Sequence, residues 1–183
     1  MSRKAKWWLI AAVVLASGVG LLIVTSVLAY LFLGFGDDDL GPHDLDAGKA
    51  AEGMQLRGIG IPNGSTFEQM MVVRQFVGAD SYRGHYTMSG TFEAAKQALA
   101  QANPDFPGLR SATCGDEIVN QDFLVGEPEF HCDAETELAV STRSVDGADV
   151  LTDNYRGTPP DSETVLLVGN GNRVELFVLS QGH

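Results

Sequence analysis

The chain reads as an α+β protein behind an N-terminal transmembrane helix, its antiparallel β-sheet carrying one main helix on one face in the order ββα and then mostly strands. Three observations predict this. Residues 7–35 contain no charged side chain. SYRGHYTM alternates with a period of two, and shortly afterwards FEAAKQALA takes up helical spacing. Near the C-terminus, ETVLLV and RVELFVL flank a GNGN turn. Strands and a helix segregated along the chain, without βαβ alternation, point to an antiparallel sheet with its helix on one side.

Four segments follow: a cytoplasmic N-terminus over 1–6, a transmembrane helix over 7–35, an acidic flexible linker over 36–56, and an extracytoplasmic α+β domain over 57–183. The apolar run is 29 residues long, whereas a signal peptide has an apolar core of roughly 7–15 and a bilayer span needs about 20. As a helix it would reach roughly 43 Å, more than the ~30 Å hydrocarbon core. Val27-Leu28-Ala29 and Val14-Leu15-Ala16 both satisfy a small-residue cleavage rule, but apolar sequence continues past each. An anchor that stays is therefore the reading; cleavage after Ala29 would release the domain instead.

Arg3, Lys4 and Lys6 precede the run and no base follows it until Lys49, which predicts a cytoplasmic N-terminus by the positive-inside bias. Trp7, Trp8 and Tyr30 are residue types that settle at membrane interfaces. Ala12, Ala16 and Gly20 recur every four residues, the small-xxx-small spacing that lets helix backbones approach closely, so homo-oligomerisation through the span is open. Six residues on the cytoplasmic side are too few to fold, and any message across the membrane must pass through a partner.

All 24 acids and nine of the 12 bases follow the apolar run, for a net charge of −15 over residues 36–183. So acidic a domain repels nucleic acid and anionic lipid over a Debye length of about 8 Å. Gly36–Leu56, rich in Gly, Asp and Ala without an apolar period, is read as a linker spanning roughly 25 Å. A hairpin is expected over 69–89, with Tyr82, Gly84, Tyr86 and Met88 on one face and Arg83, His85 and Thr87 on the wet one. Thr91 is a natural N-cap for a helix whose stripe is Phe92, Ala95, Leu99 and Ala102, and Asn103-Pro104 stops it. Phe130, Cys132, Ala134, Leu138 and Val140 alternate with polar residues and predict one long strand with a wet face. A weaker strand is read over Ala148–Tyr155, and the pair around GNGN closes the domain.

Cys114 and Cys132 are the only cysteines. An exterior location permits their disulfide, with Cys132 on the apolar side of its strand, and the closed loop is worth about 3 kcal/mol in the chain-entropy model. Cys-x-x-Cys is absent, and no second Cys or His stands at ligand spacing beyond His131, so neither redox chemistry nor a metal or other cofactor is expected. There is no Gly-x-Ser-x-Gly, and the four histidines are scattered; no catalytic residue is nominated. GIGIPNG holds a proline and lacks the spacing of a dinucleotide fingerprint. HDLDAG and DGADVLTDN lack the glutamate of a calcium loop, and Asp116/Glu117 and Glu127/Glu129 are carboxylate pairs that so acidic a chain produces by chance.

Two surface features remain. If the strands pair suitably, Arg83, His85, His131 and Arg143 form a basic island that docks an acid or anion. Tyr82 and Tyr86, or a groove between helix and sheet, serve a small solute or peptide. No motif identifies a family. The expectation is a membrane-anchored interaction module of the cell envelope that binds another membrane or envelope protein noncovalently. A solute- or peptide-binding domain is the alternative, and an envelope hydrolase with a dispersed site the second.

Overall fold

A computed structural model of the chain describes residues 40–75, 80–120, 123, 130–144 and 162–182. The span, its flanking residues Arg3, Lys4, Lys6, Trp7, Trp8 and Tyr30, its Ala12, Ala16 and Gly20 stripe, and the strand expected over Ala148–Tyr155 lie outside the described residues. Among the described residues no helix is long and apolar enough to cross a membrane.

Residues from Gly41 onward form a compact unit built on one antiparallel sheet. In chain order its elements are β1 (Gly41–Asp44), α1 (Ala47–Leu56), β2 (Thr66–Arg74), β3 (Ser81–Met88), α2 (Phe92–Ala102), β4 (Arg110–Ala112), the short helical turn α3 (Glu117–Val119), β5 (Glu137–Ser144), β6 (Ser162–Asn170) and β7 (Arg173–Gln181). The strand order is β1-β2-β3-β7-β6-β5-β4. Two meanders, β1 to β3 and β4 to β7, therefore meet along the β3–β7 seam, and α2 carries the chain from the centre of the sheet to its far edge.

The expected antiparallel sheet with helical cover is present, and the hairpin, the capped helix and the closing strand pair all form. Thr91 caps α2, its hydroxyl accepting from the Ala94 amide. The β6–β7 connection is a two-residue loop between the paired Asn170 and Arg173, and Gly171 takes the positive φ of 59° that a tight hairpin requires. β6 and β7 are buried along almost their whole length, because the sheet is covered on both faces, and VLLV and LFVL are the continuous apolar runs that such strands need.

One face packs on α1 and α2, where Ala50, Met54, Ala95 and Leu99 meet Met70, Tyr86, Leu167 and Leu176. On the other, Ile118, Val119, Phe123 and Phe130 lie against Leu138, Val140, Leu166, Phe177 and Leu179. Leu99, Leu166 and Leu176 are at most 1% exposed, and each contributes roughly 1.5–3 kcal/mol relative to an exposed position.

Three expectations change. Most of the acidic linker is ordered: Gly41–Asp44 pairs with β2, Gly41 opposite Arg74, and Ala47–Leu56 is a second helix on the sheet. Its N-cap is Asp46, whose carboxylate accepts from the Lys49 amide at 3.0 Å, a bond that lowers the Asp46 pKa. The buried stripe is Ala50, Gly53 and Met54; its small side chains give little hydropathy signal but let the helix lie close to the sheet. The long strand begins only at Glu137. Before it, Asp133 accepts from the Glu135 amide and the Thr136 hydroxyl while its own amide donates to Thr136, and this turn breaks the extended run that alternation suggested. The hairpin is not half-wet, since Gly84, His85 and Tyr86 are all buried.

Candidate binding groove between the first helix and the sheet

Tyr82 is where α1 meets the sheet. A Cβ on Gly53 would stand 2.9 Å from the Tyr82 ring, so only glycine admits the ring at that turn of the helix. The Arg57 guanidinium lies 5.3 Å from the ring centroid and donates to the Asp80 carbonyl at 2.6 Å, holding the start of β3 against the end of α1. Beside this contact lies a groove of about 280 Å³. Leu45, Val72, Gly53 and Tyr82 form its apolar part, and Lys49, Glu52, Arg74 and Asp80 bring charges of both signs to it. Leu56, also in its lining, is 77% exposed. Leu56 and Leu40 are the exposed large hydrophobic side chains among the described residues.

The structure places the residues singled out from sequence in quite different settings. Tyr82 lines the groove. Tyr86 does not: it is 5% exposed, packs edge-on against Phe67 at 5.8 Å, and burial pushes its phenol up to about 12.

The basic island does not assemble. Strand pairing puts Arg83 opposite Leu179 and His85 opposite Phe177 on one face of the sheet, whereas Arg143 stands opposite Glu163 on the other. His131 is exposed and outside any strand. Arg143 is a structural clamp: its Nε donates to Glu163 at 3.0 Å, its Nη2 donates to the Arg57 and Gly58 carbonyls, and its guanidinium stacks 4.2 Å over Phe106.

His85, read as a wet-face residue, is 1% exposed. It stacks on Phe177 with centroids 4.4 Å apart, and its Nε2 lies 3.1 Å from Glu175 Oε1, which also pairs with Arg173 at 2.9 Å. This His–Glu contact ties β3 to β7 inside the protein and is too enclosed to meet a substrate from solution.

Cys114 and Cys132 are joined in a disulfide, with Cα atoms 5.7 Å apart. They are half-buried, and Cys132 precedes β5 instead of lying within it. The bond fastens the segment that carries Ile118, Val119, Phe123 and Phe130 over the second core. Among the described residues no three His, Cys, Asp or Glu side chains converge as metal ligands.

Sequence reading missed α1 and with it one wall of the groove. The usable signal was an Asp46 cap followed by Ala50, Gly53 and Met54 at helical spacing, hidden inside a segment whose composition resembles a linker. No protein-family model matches this chain, and no significant match to it was found among curated proteins or solved structures.

Proposed function

We propose that the protein is a membrane-anchored extracytoplasmic binding domain that engages another membrane or envelope protein noncovalently, with the groove beside α1 as its contact site. The observation that carries the reading is the groove itself. A water-exposed leucine stands at an apolar concavity ringed by charges, the composition of a recognition surface with an apolar anchor and a polar rim. The uncharged run of 29 residues behind Arg3, Lys4 and Lys6 supports the anchor and its orientation. The Cys114–Cys132 disulfide supports an oxidising location outside the cytoplasm.

The sheet edges favour this mode over strand addition. β1 is four residues long and contains Pro42, and β4 is three residues long. Edges so short offer a visiting strand few backbone partners, so a partner gains more from side-chain docking.

The test is a photo-crosslinking amino acid at position 56 of the full-length chain in its native membrane, with the intact mass of the chain determined in parallel. One discrete crosslinked membrane or envelope protein, lost when Lys49→Glu is combined with the probe, is the expected result. A chain that begins near Tyr30 would remove the anchor, and a position 56 that crosslinks to no protein would remove the docking site.

A further inference from the structure

We infer that the partner seated at the groove beside α1 is an integral membrane protein, held through residues of its own chain that adjoin the bilayer. This rests on the reading of the groove as the contact site and of the uncharged run as a retained span, and it narrows a membrane or envelope partner to the first of the two.

Placement within the fold is the first ground. Gly41, where the folded unit begins, stands opposite Arg74, and Arg74 lines the groove. α1 runs back along the sheet, so that Arg57 reaches the Asp80 carbonyl just before β3. The last turn of α1, the β2–β3 connection and the start of β1 therefore share one end of the sheet. Leu56 lies in that last turn, and Leu40 directly precedes β1. The exposed large hydrophobic side chains among the described residues, Leu40 at 39% and Leu56 at 77%, thus both belong to the end at which the chain arrives from the apolar run.

Reach is the second. Phe35, the last residue of the uncharged run, is six Cα steps from Gly41, at most about 22 Å whatever conformation those residues take. The antiparallel pair adds roughly 5 Å, so Arg74 stays within about 27 Å of the end of the span. A helix about 10–12 Å across fits within that height. A soluble folded domain of about 100 residues, with a radius of gyration near ~13 Å, is roughly 30 Å across and does not fit between bilayer and groove.

The third is the extent of the contact. At about 280 Å³ the groove holds the liquid volume of roughly nine waters at about 30 Å³ each, room for one or two large side chains. A stable complex between freely diffusing proteins buries about 1,200–2,000 Å², far more than one exposed leucine and this groove supply. Two chains in the same bilayer need less, because confinement contributes an effective concentration that reaches about the millimolar range for short tethers. A contact this small therefore suits a partner that shares the membrane. Tyr82 is already held against Gly53 and under Arg57, so its ring does not have to be ordered on contact, which lowers the cost of binding.

The experiment places an aliphatic diazirine amino acid at position 56 of the full-length chain in its native membrane and maps the crosslinked partner peptide by mass spectrometry. An (EAAAK)₄ spacer, roughly 30 Å long where helical, is then inserted between Gly36 and Asp37, and a Gly/Ser insert of equal length in a parallel chain. The partner peptide is expected within about ten residues of an apolar run of about 20. The crosslink should fall at least about tenfold with the helical spacer, which lifts the groove out of reach, and less with the Gly/Ser insert, which folds back. The mapped peptide reads the inference on the chain without an insert, so a spacer chain that fails to fold leaves the test intact.

A helical-spacer chain that crosslinks as well as the parent overturns the inference and leaves the docking site standing. So does a partner that alkaline carbonate washes off the membrane, or a partner peptide remote from any span. Adducts confined to lipid or to a second copy of this chain overturn it as well. A position 56 that crosslinks to nothing, or a chain that begins near Tyr30, removes the reading beneath it too.

Discussion

Asn103 closes α2 and ties it to the loop after α1, and replacing it by aspartate tests whether that tie depends on a neutral amide. Its Oδ1 accepts from the Gly60 amide at 2.7 Å, and its Nδ2 donates to the Gly60 carbonyl at 2.8 Å and to the Leu99 carbonyl at 3.0 Å. The residue is 5% exposed. Asn103→Ala loses three hydrogen bonds of about 1 kcal/mol each, hence about 3 kcal/mol. Asn103→Asp keeps the shape and the bond from Gly60 but has no donor when ionised. It also turns a buried carboxylate toward two carbonyl oxygens, so at pH 7 it should cost about 3–5 kcal/mol, no less than alanine.

The sign with pH follows. Those carbonyls favour the protonated acid, so the folded-state pKa of the new group lies above the unfolded value of about 3.9. Its deficit relative to the parent protein is then smallest below about pH 4 and grows as pH rises through the folded-state pKa. The assay is urea denaturation of the full-length proteins in detergent micelles, followed by pulse proteolysis at pH 7 and pH 4. An aspartate variant more stable than the alanine variant at pH 7, or one whose deficit ignores pH, would refute the argument.

Three further outcomes can be checked on the same material. Converting Cys114 and Cys132 together to serine should lower stability by about 3 kcal/mol in the chain-entropy model, and a reductant should bring the parent protein to the same midpoint; a midpoint indifferent to reductant would mean that the bridge carries no stability. Because burial holds the Tyr86 phenol up to about 12 while an unfolded tyrosine titrates near 10, stability should fall between about pH 10 and 12 by up to about 1.4 kcal/mol per unit. Tyr86→Phe should flatten that decline in an alkaline denaturation series, and an unchanged slope assigns it elsewhere. Gly60→Ala should destabilise by more than 1 kcal/mol, since its Cβ would run directly onto the Ala102 carbonyl, backbone that cannot swing aside; a thermal midpoint within a degree or two of the parent rules out so close an approach.

The elements legible in advance depend on neighbours a few residues apart. Thr91 as a cap, the Phe92–Ala102 stripe, the turn between Asn170 and Arg173, and the β2–β3 hairpin rest on turn chemistry and periodicity, which any reader of the chain can test. Misreadings arose where local pattern and long-range contact disagree. Phe130, Cys132 and Ala134 alternate as a strand would, yet the Asp133–Thr136 turn and the disulfide hold that stretch off the sheet. Gly41–Leu56 has a linker's composition, yet Met70, Tyr82 and Val72 supply the surface that makes a strand and a helix of it. His85 and Arg143 share polar character but fall on opposite faces, because cross-strand partners 20 to 90 residues away set the register.

By itself the order of residues determined the long uncharged run, the acidic balance of residues 36–183, the pairing of two cysteines, and an antiparallel α+β composition, since charge, hydropathy and period are properties of short windows. Only the tertiary structure decided that the sheet is covered on both faces and that α1 exists and stands over Tyr82 to form a groove. Burial is a relation between segments: a tyrosine, a glycine on a helix and a lysine become one site only when folding brings 45–56 against 72–82, and no window of the chain contains that contact.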